Sequence, residues 1–176
     1  ISLVGSWAYR MTEDGRTLNV LKRPPDHDSL MKGLMTQMEP SFPTVMWRRG
    51  LWTPTAQFNE QLRKNIDLEW FVRISANAHY ATIPSPLVKI RQTRSSLSRS
   101  PDPENDRRLV SSVERFCLQR MEQPISQQEQ SQLLQWLGIL NYYYGTFDRS
   151  KLFLKEAVRI KGWDKFAVRY LLPQLM

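Results

Sequence analysis

The sequence predicts an α/β fold over residues 1–101, mixed α+β as a fragment, followed by an α-helical tail over residues 102–176. Three observations carry this. The first residues alternate apolar and polar around an Asp-Gly turn, as strands do. A single amphipathic helix near residues 65–74 stands between proline-bearing extended stretches. Beyond residue 102 the apolar spacing turns helical, with a capping residue before each run.

The elements follow in order. "LVGSWAYRMTEDGRTLNVLKR" reads as a β-hairpin with Asp14-Gly15 in a type I′ turn. Pairing outward sets Met11 against Leu18 and Tyr9 against Val20, with Trp7 on the same face, so the hairpin should cover a core. "RPPDHD" breaks the chain, and Asp28 or Ser29 caps a short helix through Leu30, Leu34 and Met35. "PSFPTVMWRRG" is a short strand ended by Gly50, with Arg48 and Arg49 alternating across it. "LWTPTAQFNEQL" is a loop. After the helix, "YATIPSPLVKIR" is extended, and its Pro-Ser-Pro suits an edge or a bend.

In the tail Asp102 caps, Pro103 takes the first helical position, and Leu109, Val113, Phe116, Cys117 and Met121 form a stripe. Ser126 and Glu129 make a capping box for the next helix, which stops at Gly145. Asp148 begins another, and Asp164 begins a last one cut off by Pro173. Leu134, Leu137, Gly138, Gly145, Phe147, Ser150, Leu154 and Ala157 fall at tetratricopeptide intervals. One repeat cannot close a solenoid, so a helical hairpin packed on the preceding domain is expected.

Composition narrows the function classes. The hydrophobic content of 41% and charged content of 24% are those of a globular protein. No run of eighteen apolar residues is present. Cys117 is the single cysteine, which excludes an internal disulfide and a Cys-rich zinc site; it falls on the apolar side of a helix as a buried thiol. His27 and His79 lack ligand-like spacing, so no intrinsic metal site is expected. The net charge of +8 divides evenly about Glu104, with +4 up to that residue and +4 beyond it. Lys89, Arg91, Arg94 and Arg99 run without an intervening acid, yet no basic face interleaves with aromatics, and no nucleic-acid partner is expected.

"NIDLEWFVRI" carries the chemical question. At about 100° per residue, Trp70, Phe71 and Ile74 lie within about 60° of Asp67, while Glu69 points the other way. An acid inside an apolar stripe costs several kcal/mol if it ionises unpartnered. The residues alone leave two roles open: Asp67 or Asn65 caps the helix, or Asp67 is a base facing a cleft. Trp70 either offers its ring face to a ligand or packs in the core.

Five segments in this order resemble family 2 glycosyltransferases, the inverting enzymes of the GT-A fold. "LVGSWAYRMTEDG" resembles the strand and turn after the nucleotide-sugar half. "PTVMWRR" is similar to the family's "P-S-V-M-F-R-R", and "AQFNEQL" stands where "G-G-F-D-E" is usual. "IDLEWFVRI" resembles "E-D-x-E-W-x-x-R", and "PSPLVKIRQTRSSLS" resembles "P-x-P-L-V-x-Y-R-x-H-x-x-S-x-S". The resemblance covers roughly residues 2–98 and implies the C-terminal, acceptor-side half of a GT-A domain.

It implies that Asp67 is the general base that takes a proton from the acceptor hydroxyl as it attacks the anomeric carbon. Trp70, Glu69, Arg49 and Arg91 become candidate substrate-binding residues, Arg91 toward a diphosphate and Glu69 as a supporting or surface residue. Ile66 replaces the usual Glu and Thr93 the usual His. No D-x-D is present, so the Mn²⁺ or Mg²⁺ and nucleotide-sugar site of the intact enzyme belongs to an N-terminal half outside this chain. The chain itself should carry no cofactor and be inactive alone. The expected partners are that missing half, a nucleotide-sugar donor and a glycan or lipid-linked acceptor. The chain starts at Ile1 on strand-like residues, as a piece of a longer protein would. Residues 2–9 and 44–47 should then extend the parallel sheet of the missing half and leave an unpaired edge, with self-association through Trp7, Tyr9 and Trp47. The setting implied is cytoplasmic, extending to the inner membrane face. The alternative is a helical protein-interaction module joined to a degenerate, non-catalytic α/β part.

Overall fold

The computed structural model describes residues 1–36, 40–96 and 100–175. Arg99 of the basic stretch, and Leu97 and Ser98 of the last resembling segment, lie outside the described residues. The fold is mixed α+β, with a four-stranded mixed sheet and seven α-helices among the described residues. The chain divides into two compact units, Ile1–Pro101 and Asp102–Met176.

The first unit is organised around β1 (Leu3–Met11), which pairs antiparallel with β2 (Thr17–Leu21). Tyr9 lies opposite Val20, but Met11 pairs with Thr17 rather than Leu18 across a register shift. The turn explains the slip. A type I′ turn needs positive φ at both Asp14 and Gly15, whereas only Gly15 has it, at 96°. Gly15 donates to the Thr12 carbonyl and Thr12 to the Arg16 carbonyl, so the hairpin closes through a three-residue loop with a bulge. β2 is largely exposed and covers no core.

Asp26, not Asp28 or Ser29, caps α1 (His27–Gly33) by accepting from the Ser29 amide at 2.9 Å. The strand after Phe42 shrinks to β3 (Met46–Trp47), and a 3₁₀ turn over Arg49–Leu51 follows at once. Arg48 and Arg49 therefore do not alternate across a strand. Then come α2 (Ile66–Ile74) and β4 (Tyr80–Arg91). β4 runs parallel to β1 along its whole length, and the register shifts where Pro84, Ser85 and Pro86 pass Trp7. Prolines lack the amide that a central strand must donate on both sides, which suits β4 to its edge position.

The expectation of an unpaired edge along residues 2–9 is corrected. One side of β1 is taken by β4, and the other by β3 at Leu3–Val4 and by β2 from Ala8 onward. Between them the Ser6 amide donates to Thr44 Oγ1 at 2.9 Å. Trp7 is held in place by donating its indole N–H to the Arg23 carbonyl, with Lys22 over its ring.

His27 and His79, 52 positions apart in sequence, meet with ring centroids 4.8 Å apart, and His27 Nδ1 accepts from the Tyr80 amide at 3.2 Å. Burial first, then the neighbouring His79, pushes His27 below its usual 6.5, against the opposing pull of Asp28 and Asp26. The unfolded chain therefore binds the proton more readily. The associated stability is complete above pH 6.5 and is lost as pH falls through the lower folded value. The urea midpoint should thus drop on going below pH 6.5, and less steeply in His27→Asn, whose amide oxygen still accepts from Tyr80. Equal slopes for the two proteins would refute the assignment.

The second unit comprises α3 (Pro103–Met121), α4 (Gln127–Tyr144), α5 (Phe147–Lys161), α6 (Lys165–Tyr170) and α7 (Leu172–Leu175). Asp102, Ser126 and Asp164 cap their helices through side-chain oxygens. Thr146 rather than Asp148 caps α5, leaving Asp148 in the first turn, where its charge suits the helix dipole. Pro173 sits inside α7 instead of ending the chain's last helix. Leu109, Val113 and Cys117 are fully buried, and burial pushes the Cys117 thiol well above its usual range. The Glu114 carboxylate of α3 accepts from Asn141 of α4 and Arg149 of α5, joining three helices at one acid.

α4 and α5 approach so closely that a Cβ on Gly138 would lie 2.4 Å from Leu154 Cγ. Gly138→Ala should therefore cost about 1–3 kcal/mol of overpacking, offset in part by about 1 kcal/mol of helix propensity. In a Leu154→Ala background the side-chain clash is gone and only the backbone nitrogen of residue 154 remains close, at 3.3 Å, so the same change should cost less. Thermal unfolding of the four proteins checks both costs. Among the described residues no helix is long and apolar enough to cross a membrane.

Candidate functional site

Asp67 lies in the first turn of α2, on a cleft of about 360 Å³ lined by Phe42, Phe58, Arg63, Lys64, Asn65, Ile66 and Asp67. The wall is mostly apolar. Phe42 and Phe58 meet edge to face at 5.8 Å, and Ile66 adds a third apolar side chain. Asp67 is half-buried, and one of its oxygens accepts from the Leu68 amide at 3.0 Å. Burial raises its pKa above the ordinary 3.8, opposed by the amide hydrogens of Leu68 and of Asp67 itself. A carboxylate so placed is more basic than one in water, yet it is still held by donors at a helix start.

Neither capping role expected for Asn65 or Asp67 is realised in the usual form. Asn65 occupies the N-cap position but is left-handed, at φ 57° and ψ 28°, and makes no side-chain cap bond. Asparagine tolerates this backbone better than most residues. The turn swings the chain into α2 so that Asp67 faces the cleft while the next turn enters the core.

Trp70 is part of that core. It is fully buried, and its indole N–H donates to the Ala56 carbonyl at 2.6 Å. Trp47, Phe58, Phe71, Phe42 and Trp52 surround it, with centroids 5.2–6.4 Å away. Phe42 and Phe58 touch both Trp70 and the cleft, so Trp70 stands behind the wall and offers no sugar platform.

Glu69, expected as a supporting or surface residue, is 1% exposed and so supports from within. It pairs with Arg73 one turn on at 2.7 Å, and Arg73 also donates to the Gln57 carbonyl. The reason is that α2 buries Trp70, Phe71 and Val72 in succession, which needs packing on more than one side. Glu69 anchors the helix to the preceding loop and does not line the cleft.

The two arginines are also elsewhere. Arg49 is exposed in its 3₁₀ turn and does not line the cleft. Arg91 ends β4 opposite Met11 and donates to the Glu13 carbonyl in the hairpin turn. It is eleven residues from Tyr80, whose hydroxyl bonds the Phe71 carbonyl of α2, and that is roughly 35 Å of strand. Thr93 and Arg94 border a separate hollow of about 380 Å³ at the hairpin end, with Thr12, Glu13, Asp14, Leu18 and Gln92. Of the candidate site residues, the cleft brings in Asp67 alone.

Phe42, Phe58, Arg63 and Lys64 are cleft residues that the sequence reading did not single out. The basic pair directly before the helix start was a legible signal. Phe42 was not, because only folding carries it across the chain.

The cleft contributes a single carboxylate, with the cationic Arg63 and Lys64 also in its lining. Among the described residues no group of three or more His, Cys, Asp or Glu comes together. The cation that the resemblance implies is expected outside this chain, and no step below runs through one. What the site offers is one basic carboxylate, an apolar platform and two cations in its lining. No protein-family model, curated protein or solved structure matches the chain.

Proposed function

We propose that the Ile1–Pro101 unit is the acceptor-side part of an inverting GT-A glycosyltransferase of the family 2 type, with Asp67 as its base. The observation that supports this is a half-buried carboxylate, made more basic by burial, on an apolar cleft able to hold an acceptor. The acceptor hydroxyl would lie against Asp67. As its oxygen forms a bond to the anomeric carbon, the bond to the nucleotide diphosphate breaks on the opposite face. The proton passes to the Asp67 carboxylate, and the diphosphate leaves with the electron pair. A sugar hydroxyl is far too weak an acid to ionise beforehand, so positioning contributes most of the rate. Phe42, Phe58 and Ile66 would position the acceptor, and the Glu69–Arg73 pair would hold α2 under it.

The donor site, with its D-x-D and divalent cation, would come from residues outside these 176, and this chain alone would not turn over. The test is sugar transfer by the intact protein with Asp67 intact and replaced by Asn. An inverted product that disappears with the carboxylate supports the reading. A retained anomer, or undiminished transfer by the variant, overturns it.

A second reading has one observation in its favour. The close packing of Gly138 on Leu154 would suit a tetratricopeptide-like helix pair, and Tyr143, Phe147 and Leu152 are exposed nearby in sequence. The chain would then be a protein-interaction module with an inactive α/β part. Lack of transfer by the intact protein across a panel of nucleotide-sugars would favour it.

A further inference from the structure

We infer that the acceptor in the Asp67 cleft is an anionic sugar, its ring against Phe58 and its acid group paired with Arg63 and Lys64. This rests on the glycosyl-transfer reading of the same cleft and names the acceptor's chemical class. A pyranose has an apolar C–H face and a polar edge. The edge-to-face pair Phe42–Phe58 gives that face a wall, and Asp67 gives one hydroxyl an acceptor.

The cleft lining also includes two cations. Arg63 and Lys64 are successive residues that line the cleft, and Lys64 Nζ donates to the Ser100 carbonyl at 3.0 Å. An ammonium has three donors and a guanidinium five. They are not placed to neutralise Asp67. Burial and amide hydrogens are what act on that carboxylate, and neither cation draws its pKa back down. A cleft with two cations, one acid and mostly apolar walls favours a ligand with a negative charge beside a nonpolar face. A uronic-acid carboxylate and a sugar phosphate both meet that description. Arg63 is exposed, so the preference should be moderate and sensitive to salt.

The experiment titrates the 176-residue chain with methyl glucoside, methyl glucuronide and glucose 6-phosphate, followed by tryptophan fluorescence from the cluster behind the cleft wall. At low salt at least one anionic sugar should bind about tenfold tighter than the neutral glucoside. The gap should shrink at about 0.5 M salt and close in the Arg63→Gln/Lys64→Gln variant, while Phe58→Leu weakens every sugar that binds. Which anion binds tighter distinguishes carboxylate from phosphate. Equal binding of the neutral sugar, a gap that survives in the double variant, or no saturable binding of any of the three overturns the inference. Failure of the catalytic reading shows separately, as wild-type transfer by intact Asp67→Asn protein while the charge preference in binding persists.

Discussion

If Asp67 is the proposed base, replacing it by Asn in the intact protein should lower kcat by about 10²- to 10⁴-fold, the range for removing a positioned general base. Acceptor KM should change little, because the amide keeps the shape and can still accept from Leu68. Stability should move the opposite way from activity. Burial raises the Asp67 pKa above 3.8, so the folded protein holds this proton more tightly than the unfolded chain does. The stability linked to that proton is complete below pH 3.8 and is lost as pH rises through the higher folded value. At neutral pH the ionised acid is therefore a burden on the fold, and Asp67→Asn should melt higher than wild type. The difference should narrow as pH falls toward 4. On the proposed mechanism the same shift should move the acid limb of kcat/KM in the wild-type protein above the ordinary carboxylate range, since only the ionised form accepts a proton. An Asn variant that turns over normally and melts lower would mean that Asp67 serves only the helix.

Trp70→Ala should cost about 3–5 kcal/mol of stability, the largest effect of any single change discussed for this unit. The side chain is fully buried among five aromatic rings, and its removal would also leave the Ala56 carbonyl without its indole donor. Trp70→Phe separates the two contributions. It keeps much of the packing and loses the hydrogen bond, for which about 1–3 kcal/mol is expected at a buried acceptor. Urea unfolding monitored at the far-ultraviolet signal gives both values. A tryptophan that stacked on the acceptor sugar would behave otherwise, raising acceptor KM in the Phe variant while leaving the unfolding midpoint in place. Its location behind Phe42 and Phe58 makes loss of stability the expected outcome.

Local signals were legible wherever a few neighbouring residues decide the outcome. Asp102, Ser126 and Asp164 cap the helices they precede, and Tyr9 faces Val20 across the hairpin. Where two local solutions compete, the reading chose wrongly. Thr146 and Asp148 are both good helix starters, as are Asp26 and Asp28, and the surrounding chain selected the earlier residue each time. The one-residue slip at Met11 has the same origin, because Asp-Gly serves either a two-residue turn or a longer loop with glycine left-handed.

The sequence by itself determined that an acid stands within an apolar run at the start of a short helix, and that a strand-bearing part gives way to helices near residue 101. Both follow from spacing along the chain. Only the tertiary structure decided what surrounds that acid. Phe42 and Phe58 reach the cleft from one side, Trp70 is withdrawn behind them, Glu69 is buried against Arg73, and Arg91 is carried to the far end of β4. The helical period says which side chains share a face but not how many faces the fold will cover. α2 is covered on more than one, so Glu69, on the face opposite the apolar stripe, went inside, and Asp67 within the stripe kept an opening.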